Sequence, residues 1–323
     1  MRSKIEIDYK IIDRLNKDLS KRFIKTKILI KKLNVKRRKG HVYRILIKNK
    51  NTTEAYYAKY YPNLDIAKKI ITLNDYDFNS KRYKITRPIF FLEDIKTLIF
   101  DELKGIKFSY LMPIFLTNIY YFNKKKKDEI IKKVAKCLGY VQKKTNPALR
   151  EEIDLDYALF SLNNIENLDN YEKSKAHYIL KNNHHKIGEL PLLFNHNDLV
   201  ANNIIISQDY VGLIDVDLFN FDNRMFDLHS FTSNLEFKAK FPLYSKKNIK
   251  NIQRKFIKEY KKFYPIILTK DIIFYTKLNY LILYLYEKQK LEKTMHLLPS
   301  LKSRIFMNQI KQNISKTTKY IKH

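Results

Sequence analysis

Apolar and polar residues alternate with a strand-like period through the first third of the chain and with a helix-like period through most of the remainder. Three runs between Lys27 and Tyr61 (ILIKKLNV, HVYRILIKN and EAYYAKYY) are rich in the β-branched and aromatic residues that suit a half-buried pleated surface. KRRKGH and KNTTE separate them and read as turns. Ahead of them, within residues 1–35, lie Lys-rich amphipathic segments. Asp65–Leu73 has helical spacing after Pro62, and Tyr83–Phe91 and Lys96–Phe100 read as further strands. Beyond Gly105 the pattern turns helical. Asp128–Lys144 sets apolar residues at 130, 131, 134, 138 and 141 on one face. Residues 171–183, 247–264, 270–289 and 300–320 read as helices, and a strand–turn–strand at 192–217 interrupts them. This order predicts a two-lobed α+β plan: a β-rich lobe over 1–101, a hinge at 102–105 and a helical lobe over 106–323.

Composition narrows the possibilities. The 323 residues are 45% hydrophobic and 14% aromatic, enough for a sizeable core. The net charge of +31 fits an anionic partner. It also fits the Lys-, Ile-, Asn- and Tyr-rich bias of an AT-rich coding sequence, and the basic residues are spread along the chain without a nucleic-acid-binding motif. A nucleic acid is therefore not expected as partner, while an anionic membrane surface or a lipid-linked acceptor stays open. Lys124–Lys127 reads as a solvated loop at a helix start. The five glycines lie too far apart for a dinucleotide fingerprint or a Walker phosphate loop. Cys137 is the only cysteine, so there is no thiolate zinc cluster, and H-E-x-x-H is missing. Met1–Lys10 has charge without an apolar core behind it. Tyr280–Tyr286 falls well short of the ~20 residues of a spanning helix. A soluble, cytoplasmic protein is the expectation.

The chemistry concentrates in residues 194–227, FNHNDLVANNIIISQDYVGLIDVDLFNFDNRMFD. His196, Asp198 and Asn203 form an H-x-D-x4-N array, and Asp215 follows 17 residues after Asp198 inside the apolar run VGLIDV. A carboxylate in such a run costs free energy unless it meets a cation or hydrogen-bond donors. One base, one amide oxygen and one carboxylate are what ATP-dependent phosphoryl transfer asks of a protein, because Mg²⁺ keeps most of its ligands as water and phosphate oxygens. Asp198 is the candidate base; Asn203 and Asp215 are the candidate Mg²⁺ ligands. His196 reads as a structural residue of the loop, and Asp227 as either a cap or an acceptor for catalytic-loop amides.

HNDLVANNI and LIDVDLFNFDNRMFDL resemble motifs of the aminoglycoside phosphotransferase/choline kinase superfamily, closest to the choline/ethanolamine kinase branch. The antibiotic-kinase form of the first motif has Gly where this chain has Asn197. The resemblance implies a protein-kinase-like fold with ATP and Mg²⁺ as cofactors and a small-molecule hydroxyl as phosphate acceptor. By position it makes Lys59 in YYAKYY the phosphate-binding lysine and Glu102, Leu103 and Lys104 the adenine hinge. Arg38, Lys39 and Gly40 become the phosphate loop. Asp217 and Arg224 fall on the second motif, with Arg224 as structural support. Asp217, Asn234, Glu236, Tyr280 and Tyr284 fall on or near acceptor-site positions.

The chain departs from that pattern in four places, the first a nucleotide loop, KRRKGHVY, whose sole glycine is Gly40. No glutamate in the 64–77 helix is spaced to pair with Lys59. The branch's choline-site glutamate falls at Asn234, with Glu236 two residues on. Its substrate-lobe tryptophans are absent, and Tyr280 and Tyr284 stand one helical turn apart instead. A choline/ethanolamine-type acceptor is the first expectation, a sugar or glycan acceptor the second, and a nucleotide-binding scaffold without turnover the third.

Overall fold

A computed structural model describes residues 2–23, 26–33, 41–117, 123–144, 155–188, 193–222, 225–264, 269–295 and 299–317. The chain divides into two compact units, Met1–Gly105 with Ser207–Asp217, and Ile106–Ile206 with Leu218–His323. The break at Gly105 falls at the end of the expected hinge. The expected continuous second lobe did not anticipate that Ser207–Asp217 packs with the first unit.

The first unit opens with α1 (Arg2–Arg22), followed by β1 (Lys27–Leu33), β2 (Val42–Lys48) and β3 (Thr53–Tyr60). Then come α2 (Leu64–Ile71), β4 (Tyr83–Ile85), β5 (Pro88–Leu92) and β6 (Thr97–Asp101). Five strands form an antiparallel sheet in the order β1-β2-β3-β6-β5. Tyr43, Ile45 and Ile47 alternate inward along β2, as a half-buried strand requires. Ile11, Leu15 and Leu19, spaced four apart on α1, join them in one core. The Lys-rich start is thus a core-forming helix, not a tail.

The stretch read as one strand over Tyr83–Phe91 is two. β4 and β5 belong to different sheets, and the break precedes Pro88, which has no N–H to donate. Thr86 N–H donates to the Leu213 carbonyl at 2.9 Å, carrying β4 onward beside a later strand.

The second unit begins with β7 (Ile106–Lys107), α3 (Phe108–Leu116), α4 (Lys124–Lys143), α5 (Leu155–Asn164) and α6 (Asn170–Gly188). β8 (Leu193–Asn195) and β9 (Ile204–Ile206) follow; β9 is antiparallel to β7. β10 (Val211–Leu213) belongs to the first unit and runs parallel to β4. β11 (Asn220–Asp222) pairs antiparallel with β8. α7 (Phe226–Lys238), α8 (Lys246–Tyr260), α9 (Lys270–Thr294) and α10 (Leu301–Thr317) complete the unit. α9, which carries the apolar stretch Tyr280–Tyr286, packs against α5, α6, α7 and α10 and is a core helix. Among the described residues no helix is long and apolar enough to cross a membrane.

Lys124–Lys127 is the first turn of α4, not a loop. Asn123 caps it by accepting from the Lys125 N–H at 2.8 Å. α3, α5 and α7 were not anticipated, and for α3 and α7 the reasons differ. α3 carries Pro113 in its interior, and α7 is buried on nearly every side and so has no amphipathic period to read.

Candidate active site

In the first unit the chemistry gathers at the end of β3. The Lys59 ammonium donates to Asp215 Oδ1 at 2.8 Å and also bonds Asp217. The Tyr61 hydroxyl donates to the other Asp217 oxygen at 2.7 Å. Asp215 does not lie within a strand. β10 ends at Leu213, and Asp215 occupies a left-handed turn with φ 64°. Its cation is Lys59, so the missing helix glutamate is matched among the described residues by acids from the Asp215–Asp217 turn. Tyr61 escaped the sequence reading, although the period of two puts it on the same side of the chain as Lys59.

At the hinge, the Glu102 N–H donates to the Ala55 carbonyl at 3.0 Å. Its amide is thus engaged within the unit, and its carbonyl is the backbone group left to offer a base. Its carboxylate takes both arms of Arg44 at 3.0 Å each and the Tyr57 hydroxyl at 2.7 Å. Burial pushes this carboxyl up, but the bonds from Arg44 and Tyr57 outweigh it and hold the group below its ordinary range. Tyr210 donates to the Lys104 carbonyl at 2.7 Å. A β-carbon at Gly212 would meet Leu103 Cδ1 at 2.6 Å, so the absent side chain lets Leu103 lie against β10. Arg38, Lys39 and Gly40 lie outside the described residues, as does Arg224.

In the second unit a buried relay braces the loop after β8. Tyr260 donates to Gln142 Oε1 at 2.5 Å, and Gln142 Nε2 donates to the Phe194 carbonyl at 2.9 Å. Asp227, fully buried at the start of α7, accepts the N–H groups of His196 at 2.7 Å and Asn197 at 2.9 Å. Its carboxylate thus clamps the two residues ahead of Asp198. His196 is fully buried. Asn197 has φ 61°, and its amide donates to the Leu218 carbonyl and to Asn220 Oδ1, both at 2.8 Å.

Asn203 Nδ2 donates to the Asp198 carbonyl at 2.9 Å and to its carboxylate at 3.0 Å. With its nitrogen engaged, Asn203 has its amide oxygen left to offer a cation. Amide and carboxylate oxygens suit a hard ion such as Mg²⁺. Among the described residues no group of three or more His, Cys, Asp and Glu could hold a metal alone.

The acceptor candidates are less convergent. Asn234 turns back to the Ser230 carbonyl of its own helix at 2.7 Å. Glu236 is paired with Lys277 at 2.7 Å. Tyr280 is 3% exposed and lies edge-on to Phe226. Tyr284 stacks on Phe306 at 4.6 Å, and Lys302 sits 4.8 Å from its ring centre. The rings expected to face a ligand are thus packed against other side chains. Burial pushes both phenols up; Tyr284 adds to it at Tyr280, and the charge of Asp198 adds to it at Tyr284.

No described protein family and no curated protein matches the chain by sequence. Solved structures do match in shape. Choline kinase from Cryptosporidium parvum Iowa II aligns with a TM-score of 0.56 and 13% identity, over 99% of this chain and 96% of its own. Aminoglycoside phosphotransferase APH(4)-Ia gives a TM-score of 0.60 at 10% identity, covering 98% and 99%. Plasmodium vivax ethanolamine kinase gives 0.51 at 17% identity, covering 92% and 84%. A variant of APH(4)-Ia forms a ternary complex with ADP and hygromycin B. The chain therefore has the fold shared by these choline, ethanolamine and aminoglycoside kinases, with a β-sheet N-terminal region and a helical C-terminal region.

Proposed function

We propose that this protein is an ATP- and Mg²⁺-dependent kinase that transfers the γ-phosphate to the hydroxyl of a small molecule. The observation that carries the reading is the pairing of Asn203 with Asp198, on a loop whose preceding amides are clamped by buried Asp227. A surface turn has no need of a buried carboxylate dedicated to two backbone amides. The Lys59–Asp215–Asp217 cluster supports it from the first unit.

In this reading Asp198 accepts the proton of the acceptor hydroxyl as its oxygen bonds to the γ-phosphorus, and the bond to ADP breaks. Asn203 holds the Asp198 carboxylate in place through its amide nitrogen. Lys59 neutralises phosphate charge. Mg²⁺, taken by the Asn203 amide oxygen and Asp215, would neutralise the charge developing on the transferred group. The Glu102 carbonyl and the backbone of Leu103 and Lys104 would hold adenine.

The proposed acceptor is a small alcohol of the choline/ethanolamine or sugar kind. The packed faces of Tyr280 and Tyr284 weigh against a quaternary ammonium held by these two rings, which moves an amino alcohol or sugar ahead of choline. The test is phosphate transfer from radiolabelled ATP to ethanolamine, choline, aminoglycosides and simple sugars, with and without Mg²⁺. Transfer should need Mg²⁺ and fall at least ~100-fold in Asp198→Ala, the lower range for losing a general base. Undiminished transfer by Asp198→Ala would overturn the assignment.

A further inference from the structure

A cleft of about 220 Å³ opens between α7, α8 and α9 in the second unit, and none of its lining residues belongs to the catalytic loop. Its apolar wall is made by Leu228, Ile257 and Ile273. Lys250, Arg254 and Lys277 stand around it with a single carboxylate, Glu236. Lys277 bonds that carboxylate at 2.7 Å, and Gln253 adds a bond at 3.2 Å. Glu236 is thereby neutralised. Lys250 and Arg254, both exposed, have no ion pair among the described residues. His229 lines the same cleft, fully buried and bonded to Thr276 at 2.7 Å. Burial, reinforced by Lys277, pushes its imidazole well down, so it adds no charge near neutral pH.

The balance is three cations against one carboxylate, beside an apolar wall. A cationic ligand would meet Lys250 and Arg254 with Glu236 already taken. An anion would meet two cations that have no counter-charge, one of them an arginine whose planar fork matches phosphate and carboxylate oxygens.

We infer that this cleft binds a small organic anion, a phosphate monoester or carboxylate that carries an apolar body. Arg254 and Lys250 bind the charged end, and Leu228, Ile257 and Ile273 receive the apolar end. The Glu236–Lys277 pair holds α7 to α9 at its back. Glu236 is then a wall of an anion site and not the anion that receives a charged acceptor. The inference does not depend on the kinase reading.

Calorimetric titration of the full chain with phenyl phosphate tests it. Saturable binding is expected, tighter than for inorganic phosphate and weakened at least tenfold in Lys250→Ala/Arg254→Ala. Both residues are exposed, so this variant should keep the wild-type melting temperature. Lys59→Ala should bind phenyl phosphate unchanged, which separates this cleft from any nucleotide-phosphate site. A second arm measures sedimentation with phosphatidylglycerol vesicles. Vesicle binding lost in the double variant, without phenyl phosphate binding, would assign the anion to a lipid headgroup. No binding in either arm would overturn the inference, as would binding that the double variant leaves unchanged. Preferential binding of benzyltrimethylammonium, lost in Glu236→Gln, would overturn it too.

Discussion

Asn197, Asp215 and Met225 all adopt positive φ, between 54° and 64°, and all fall in the segment that carries the chemistry. Such conformations cost non-glycine residues about 1–3 kcal/mol each unless their surroundings enforce them, and asparagine and glycine tolerate them best. The difference between Asn197 and the glycine of the antibiotic-kinase motif is thus first a matter of backbone geometry and says less about the acceptor than the motif implied. Asn197→Gly should keep phosphate transfer within a few-fold, while Asn197→Val should lose about 1–3 kcal/mol in chemical denaturation. Equal stability of the two variants would contradict this. Asp227→Ala leaves two loop amides without their acceptor, so it should destabilise the second unit by about 1–3 kcal/mol and lower kcat more than it raises the KM for ATP. The spacing of residues 196, 198, 203, 215 and 227 was legible in the sequence, because the proposed phosphoryl transfer asks for those residue types in that order. Their backbone angles were not, since nothing in the letters distinguishes an aspartate ending a strand from one two residues beyond it.

At the scale of elements, α1 shows what periodicity conveys and what it leaves out. Its Lys-rich amphipathic pattern was legible; its polar anchor was not. Asp8 accepts from Lys32 at the end of β1 and from His41 and Tyr43 at the start of β2, the His41 contact being 2.5 Å. Burial raises its carboxyl, but the bonds from Lys32, Tyr43 and His41 more than reverse this and bring it to about 2, from an ordinary 3.8. Because the folded value lies below the unfolded one, the stabilisation is complete above about pH 4 and is lost as pH falls toward 2. Asp8→Asn should therefore lower the denaturation midpoint near neutral pH, and the gap from wild type should close as the pH falls through that window. A gap that stays constant to pH 2 would show that the Asp8 charge is not what holds α1. The short strands β4, β8 and β11 were the least legible elements. At three residues each they carry too little pattern to reveal their partners, which lie far away in the chain.

For the whole molecule, the β-then-α order was legible because the hydrophobic period changes near Gly105. That Ser207–Asp217 packs with the first unit was not, because it depends on the parallel pairing of β4 with β10 across more than a hundred residues. As a result Asp215 and Asp217 reach Lys59 within one unit, while Asp198 and Asn203 are built in the other. Tyr280 and Tyr284 looked like ligand-facing rings because their helical spacing was correct, but spacing does not say which side of a core helix is already covered. Nucleotide and Mg²⁺ binding can be measured without an acceptor. The measurement is calorimetric binding of a non-hydrolysable ATP analogue to wild type and Asp215→Ala, with and without Mg²⁺. Mg²⁺ should tighten binding at least tenfold in wild type, about 1.4 kcal/mol, and have little effect in Asp215→Ala. Absence of nucleotide binding in wild type, or the same Mg²⁺ enhancement in both proteins, would contradict the kinase reading.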